Sequence, residues 1–509
     1  MARFLDRSLR FFGLQRISAS GESYKAAMQS RLTADWAISI LSADQEVRGS
    51  LTAMRARARK LARDNDYAAR FLYKAEENVV GSNGFGLQMT LDEDVLGAAA
   101  EKINREIEGA WLRFSERTST DGQRSFVDDS KLWIRTKLLD GECFLRKVKG
   151  YPHNPFQFAL QFIDADQVDV SFQRLPGAGG NEIRLGIEVD GWLRPVAYWI
   201  FNGHPAERPG VQRIRIPGEE IEHAYIFRRP GQSRGIPWMH TAMTRMHMLG
   251  GYEEAELVGA RLAACKMAAI ESKTGEEYAG MGKRDGASGA VEVDVQPASM
   301  FQLPEGMQVK PIDWNHPNGA FPEFVRAMLR GAAAGLNASY SSLSGDLRDV
   351  NFSSLRQGVL DERDGWRLLQ TFAIEHFVRP VFRDWLAMAI TTGQLDLPAN
   401  LPIDLVLASA TWTARGWDWV DPRTDVAADM SAVRAGMTTL ADVAAKRGKD
   451  WRDIIDQRAK EIAYAAEKGV PIDLSTAGTP QQQPDANGNL PGDEPPTRPA
   501  GASLMGARI

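Results

Sequence analysis

The segment from Pro322 to Ile390 reads as helix, polar loop, helix, and no other stretch limits the fold as strongly. In FPEFVRAMLRGAAAGLN, Phe324, Val325, Met328, Leu329, Ala332 and Leu336 recur at helical spacing and form one apolar stripe. Pro322 falls in the first turn, where no amide hydrogen is missed. Ala338 to Phe352, ASYSSLSGDLRDVNF, is short, polar and serine-rich around Gly345. Serine, aspartate and asparagine bond nearby backbone and disfavour helix interiors, so a loop is predicted. Ser353 or Ser354 can cap the next helix. That helix carries Leu355, Val359, Trp366, Leu369, Phe372, Phe377, Val381, Trp385 and Met388. Pro380 inside it removes the bond to the His376 carbonyl, which predicts a kink. At its full length the helix would span roughly 55 Å, more than a small domain's diameter, so it predicts a spine joining lobes.

Composition narrows the classes. A chain of 509 residues suggests about three lobes. Two cysteines, Cys143 and Cys265, cannot build a disulfide framework, and a reducing compartment fits. No apolar run is long enough for a bilayer. The start, RFLDRSLRFFGL, is basic and amphipathic without a signal-peptide core; it could touch a membrane surface, but a terminal arm packing on a neighbour is the expectation. A net charge of −5 argues against a tight DNA binder, though not against a channel, where a firm grip would stall the passing duplex.

Along the chain, Leu51 to Val79 reads as one helix. Its arginine-rich part, RARARKLARDNDYAARFL, is either a nucleic-acid patch or a solvated or intersubunit face. Asp64, Asp66, Glu76 and Glu77 offset the charge and favour the second reading. Val95 to Phe114 is a clear amphipathic helix and Lys131 to Leu139 a shorter one. CFLRKV, FQFALQFI, QVDVSF, EIRLGIEV, LRPVAYWIF and HAYIFRR then predict an antiparallel β-lobe over Cys143 to Arg229, with a tight turn at Asp190-Gly191. Arg228 to Pro237, RRPGQSRGIP, reads as a glycine-proline hinge rather than a phosphate contact. A long helix comes next, from Pro237 to about Ala264, its Met239, Met243 and Met246 suiting a helix-helix seam. Ile270 to Asn318 is turn-rich, with short strands such as AVEVDV, SMFQL and MQVKPI. Trp412, Trp417 and Trp419 read as core rather than base-stacking platforms. Helices over Thr424 to Glu467 split near Gly436 and Gly448. From Pro471 the tail has the composition of a disordered segment.

The block FVRAMLRGAAAGLNASYSSLSGDLRDVNFSSLRQGVLDERDGWRLLQ resembles the lambda-like family of tailed-phage portal proteins. So do RARARKLARDNDYAARF to NVVGSNG, DGECFLRKV, FIDADQVD, GIEVDGWLRPVAYWI, MFQLPEGMQV and WVDPRTDVAADMSAVRAGMTTLADVAAKRGKDWRDIIDQRAKE. The resemblance implies an α+β subunit with a mixed α/β wing, a two-helix stem, a small β-rich clip, a long kinked helix and a helical crown. It divides the chain into an N-terminal arm (1–50), wing (51–236), first stem helix (237–265), clip (266–320), second stem helix (321–337), tunnel loop (338–352), long wing helix and return (353–423), crown (424–470) and tail (471–509).

The implied function is structural: a closed homo-oligomeric ring, a dodecamer, at the capsid vertex of the virion. The ring would assemble in the host cytoplasm and conduct double-stranded DNA during packaging and ejection. Implied partners are the terminase large subunit, the major capsid or scaffolding protein and the head-tail connector, with no membrane and no cofactor. By the same resemblance, the loop from Tyr340 to Asn351 projects toward DNA. Ser341, Ser342, Ser344, Arg348 and Asn351 offer phosphate contacts, and Asp346 and Asp349 soften the grip. The plainer reading is a surface turn with no DNA role.

No catalytic constellation competes with this. The chain has no GxxxxGK[ST] loop, no HExxH and no paired CxxC, and its seven histidines are scattered. Two alternatives stand beside the portal. One is a packaging enzyme such as a terminase-like nuclease or ATPase, which the missing phosphate loop disfavours. The other is a head-tail adaptor ring, a class generally much smaller than this chain.

Overall fold

The computed structural model describes residues 31, 35, 39–91, 99–177, 180–208, 210–264, 268–272, 283–284, 291–292, 307–311, 319–348, 352–398, 401–417 and 422–470. Most of the predicted arm and clip, Asp349, Asn351, Trp419 and the predicted tail therefore lie outside the described residues.

The chain opens with α1 (Ala43–Arg48), α2 (Leu51–Asp64) and α3 (Asp66–Ala75), then a π-helical turn at Glu76–Val80. The single helix predicted over Leu51 to Val79 is thus two. Asn65 adopts an extended backbone and its side-chain oxygen accepts from the Ala68 amide, ending one helix and capping the next. Strand β1 (Gly86–Met89) precedes α4 (Ala99–Ser115) and α5 (Phe126–Asp140). Helix α5 starts earlier than the sequence suggested because Ser125 and Asp128 form a capping box.

Next come strands β2 (Glu142–Lys149), β3 (Phe158–Ile163), β4 (Glu182–Arg184), β5 (Ile187–Val189), β6 (Pro195–Phe201), β7 (Arg213–Pro217) and β8 (Ile221–Tyr225). They form two antiparallel sheets, ordered β3-β2-β8 and β4-β5-β6-β7. The turn after β5 is longer than the Asp-Gly signal implied: Leu193, not Gly191, takes the left-handed conformation, at φ 64°. A 3₁₀ turn at Trp238–Thr241 leads into α6 (Met243–Ala264). Strands β9 (Ala268–Ser272) and β12 (Met307–Pro311) pair antiparallel, as do β10 (Lys283–Arg284) and β11 (Val291–Glu292).

Helix α7 (Phe321–Leu336) and the short α8 (Tyr340–Ser344) come next, then α9 (Phe352–Ala373) and α10 (Arg379–Thr391). Ser353 and Ser354 fall inside the first turn of α9, so neither is its cap. The irregularity expected at Pro380 is a π-helical turn at Ile374–Val378. There the Arg379 amide donates to the Ile374 carbonyl, and the widened turn absorbs the hydrogen bond proline cannot make. The chain closes with α11 (Ile403–Ala408), β13 (Ala410–Thr413), α12 (Pro422–Arg434), α13 (Leu440–Ala445) and α14 (Trp451–Glu467).

The main core is aromatic. Trp111 on α4 meets Phe126, Phe382, Trp385 and Trp412 edge-on, with ring centroids 5.0–5.5 Å apart. Those rings come from α5, α10 and β13, so this cluster ties the two halves of the sequence together. Pairing of β1 with β13 reinforces it, from Gly86 opposite Thr413 to Met89 opposite Ala410. Trp417 is tied to Asn78, whose side-chain oxygen accepts from its ring nitrogen at 2.8 Å. A smaller core between the two sheets contains Phe144, Ile187, Tyr198, Ile216 and Ile221.

One buried ionic network corrects two sequence expectations. Glu142, fully buried at the start of β2, accepts from Arg55, from Arg234 Nη2 at 2.7 Å, from His223 Nε2 at 2.9 Å and from the Gly235 amide at 2.9 Å. Arg234, read as part of a hinge, is itself fully buried and also donates to the carbonyls of Val168 and Leu185. Arg55 and Arg59, read as part of a solvated or intersubunit face, point inward. Arg59 bridges Asp140 at 2.7 Å, Asp166 at 2.6 Å and Asp164 at 3.0 Å. Burial alone would raise the Glu142 carboxyl; Arg234 and Arg55 outweigh it and hold the group well below the usual carboxylate range. The backbones meet closely here. A Cβ on Gly235 would lie 2.2 Å from the Gly141 carbonyl oxygen, so only glycine fits.

Candidate nucleic-acid interface

Helices α6 and α7 form an antiparallel pair. Tyr252, midway along α6, packs on Phe321 and Phe324 at the start of α7, with centroids 5.8 and 4.7 Å away. At the opposite end the Trp238 ring nitrogen donates to the Leu336 carbonyl, and the Thr241 hydroxyl to the Gly335 carbonyl, each at 2.8 Å. Gly331 leaves room for Arg245, whose guanidinium would lie 1.7 Å from a Cβ there.

Helix α7 ends at Asn337, which turns the chain in a left-handed conformation at φ 56°. The segment beyond Asn337 is more ordered than the loop predicted from composition. Ser339 caps α8, accepting from the Ser342 amide at 3.1 Å, while its hydroxyl donates to Glu362 on α9 at 2.6 Å. Leu343 is buried. Four serines between Ser339 and Ser344 looked unsuited to helix, but a serine at the cap reverses that preference.

Each predicted contact residue in the described part has a structural partner. The Tyr340 hydroxyl donates to Asp346 at 3.1 Å. Ser341 Oγ lies 3.3 Å from Ser339 Oγ. The Ser342 carbonyl accepts from Arg70 Nε at 2.7 Å. The Ser344 hydroxyl donates to the Tyr340 carbonyl at 2.7 Å and accepts from the Asp346 amide at 3.1 Å. Asp346 accepts from the Arg348 amide at 3.0 Å and from its Nε at 3.1 Å. The Arg348 side chain and then its amide hold the Asp346 carboxyl down to about 2. Arg348 nevertheless stands 77% exposed. Asp349 and Asn351 lie outside the described residues.

The structure adds two cations that residue pattern did not assign to this segment. Arg70, on α3, clamps it from one side, and the Arg330 guanidinium lies 5.5 Å from the centre of the Tyr340 ring. Arg330 is about two helical turns before Asn337 and could have been included on proximity. Arg70 comes from a distant part of the chain, and only the packing of α3 against α8 reveals it. The arrangement offers a positive rim on a serine-capped turn and no group poised for acid-base or nucleophilic chemistry.

Among the described residues, Asp164, Asp166 and His204 are the one group close enough to hold a metal ion, but Arg59 already binds both carboxylates. No helix among them is long and apolar enough to cross a membrane.

The sequence from residue 29 to residue 370, well over half of the chain, matches the family profile described as phage portal protein, lambda family. The chain belongs to the lambda family of phage portal proteins. It is 32% identical over 494 residues to the probable portal protein of Halomonas phage phiHAP-1, covering 93% of this chain and 92% of that one. Portal protein B of Escherichia phage lambda is 24% identical over 459 residues, covering 82% and 85%. Among solved structures, the neck of an empty GTA particle computed with C6 symmetry aligns at a TM-score of 0.44 and 15% identity, covering 83% of this chain and 94% of that one. That likeness is too distant to carry weight here. A portal protein is a structural component of the virion and not an enzyme, which sets aside the terminase-like alternative.

Proposed function

We propose that this portal subunit closes with copies of itself into a ring, a dodecamer, whose axial channel passes double-stranded DNA during packaging and ejection. The antiparallel pair α6 and α7 is the stem lining that channel, residues 338–352 are the tunnel loop, and residues 266–320 are the clip. The clip is the docking surface for the terminase large subunit and later for the head-tail connector, while the outer body meets the major capsid or scaffolding protein. Assembly takes place in the host cytoplasm. Family membership supports the portal role. The single observation that supports the loop's role is Arg348, exposed at the end of a turn anchored by Arg70 and Leu343.

A head-to-tail ring repeats one such cation at every subunit, so individually weak phosphate contacts add around the axis. Tyr340, Ser341, Ser342 and Ser344 then act by shaping the turn, and Asp346 by steadying and partly neutralising Arg348. Deleting the segment is a poor test, because Leu343 belongs to the core. Arg348→Glu is better. Negative-stain images should show unchanged rings, and heads assembled with the variant should retain severalfold less DNA. Retention equal to wild type would remove the loop's assigned role; a monomeric wild-type protein would remove the ring itself.

A further inference from the structure

The foot of the α6–α7 pair meets the body at a cation that no carboxylate answers. Lys137, in the last turn of α5, is 2% exposed and makes no hydrogen bond or ion pair with the described residues. Its ammonium lies between two rings, 4.8 Å from the centre of Trp238 and 5.0 Å from that of Phe372. Those rings belong to different parts of the molecule. Trp238 stands at the foot of α6, and its ring nitrogen donates to the Leu336 carbonyl at the end of α7, so it holds both helices. Phe372 is on α9 and also packs on Trp133 of α5, with centroids 5.9 Å apart. Lys137 therefore sits where α5, α9 and the α6–α7 pair converge.

The charged groups on the elements packed around α5 are engaged elsewhere. On α2, Arg55 and Arg59 are turned to Glu142 and Asp140. On α3, Arg70 is turned to the Ser342 carbonyl and Lys74 to Glu77. Glu76, in the π-helical turn, pairs with Arg135. On β2, Glu142 is shared by Arg55, Arg234 and His223, and burial pushes the Cys143 thiol up and keeps it uncharged. His240, beside Trp238, is held down by burial and by Arg228, from which its ring accepts at 3.2 Å. His376, with its ring 4.5 Å from that of Phe372, is also held down by burial. Arg228 alone acts on Lys137, and it repels. Ring faces attract an ammonium but return only part of what leaving water costs it. A neutral amine escapes that cost.

We propose that Lys137 is a proton-operated latch between the body and the α6–α7 pair. Neutral, it is clamped by Trp238 and Phe372, and the joint is closed. Taking up a proton, it draws water into the joint, and Trp238 releases the Leu336 carbonyl. Burial, then Arg228, bring the closed-state value down to about 7 from 10.5. Protons therefore favour the open joint. Opening becomes about tenfold more frequent for each pH unit lost between about pH 10 and pH 8, and levels off below about pH 7.

Amide exchange on the intact protein tests the latch, read as protection relative to an unstructured chain so that base catalysis cancels. The probes are the Ala242 and Ala338 amides, which donate to the Met239 and Ala333 carbonyls at 2.9 and 3.0 Å on either side of the Trp238–Leu336 bond. Wild-type protection should rise about tenfold per pH unit over that window. Lys137→Met should be protected at every pH, and Lys137→Arg, which stays charged, at none. Protection independent of pH in the wild type overturns the proposal, as does a slope that survives in Lys137→Met or an arginine variant as protected as the methionine one. Amides of β6 report global unfolding, and probes that exchange no faster than these also overturn it. Should Lys137→Arg fail to fold, the contrast between wild type and Lys137→Met decides alone.

Discussion

The ionic network around Glu142 and the paired helices α6 and α7 solve opposite problems. In the first, charged side chains are buried and each carboxylate is answered within the subunit, from Arg55, Arg59, Arg234 and His223. In the second, apolar side chains are left in water: Met248, Leu257 and Val258 on α6 are 45–68% exposed. Helix α14 goes further, with no buried residue and with Ile454, Ile455, Ile462 and Tyr464 exposed. Helices of this length gain most of their stability from packing. Buried charge in the sheet-bearing body is thus answered within the subunit, whereas these helices keep apolar side chains in water.

The contrast is most easily broken at Glu142. Glu142→Gln leaves two guanidiniums buried without their shared counter-charge and should cost about 3–5 kcal/mol, read as a lower urea midpoint. A loss near zero would mean that the network does not hold the body together. The pH dependence has a definite sign. Because the folded Glu142 carboxyl sits below its usual range, its contribution is complete above the unfolded carboxylate value. It is lost only as pH falls through the lower folded value, so the Glu142→Gln deficit should persist at pH 5 and shrink in strong acid.

Lys137 sharpens the comparison at the junction of the two regions. Its ammonium is buried between the rings of Trp238 and Phe372, 4.8 and 5.0 Å from their centres. Burial, then nearby Arg228, pushes it down to about 7 from 10.5. Between those values the unfolded chain holds a proton that the folded one lacks, so stability rises with pH. Lys137→Met should stabilise the protein by about 1–3 kcal/mol at pH 6, with the difference closing by pH 10. A pH-independent difference would show that the two rings keep the ammonium charged.

The smallest expected effect is Arg70→Ala, which removes the clamp on the Ser342 carbonyl. The cost is about 1 kcal/mol, seen as faster amide exchange at Leu343 with the body otherwise unchanged. Exchange as slow as in wild type would assign the turn's order to Ser339 and Leu343 alone.

Much of the element pattern was legible in the residues. Helical spacing marked α4, α7 and α9, and alternation with turn residues marked β2, β3, β6 and β8 and, as a single run, β4 with β5, because those signals are local; β7 was not foreseen, and QVDVSF forms no strand. The misses share a cause. Asn65 splits a helix through one side-chain bond, and Ser339 starts one inside a segment whose composition argued for a loop. Arg55, Arg59 and Arg234 looked like surface cations because their partners lie far away in the chain, at Asp140, Glu142 and Asp164 to Asp166. Of the predicted contact residues, the Arg348 side chain is exposed, whereas the Ser344 hydroxyl is turned to the backbone of its own turn.

By itself the sequence determined the periodic elements, the absence of a phosphate-binding loop and the family resemblance, since all three are written in residue type and spacing. The tertiary structure decided which charges are buried, which arginine clamps the turn after Asn337 and which apolar faces remain in water. Those outcomes depend on contacts between residues far apart in the chain, and a one-dimensional pattern records what a side chain is but not what it meets.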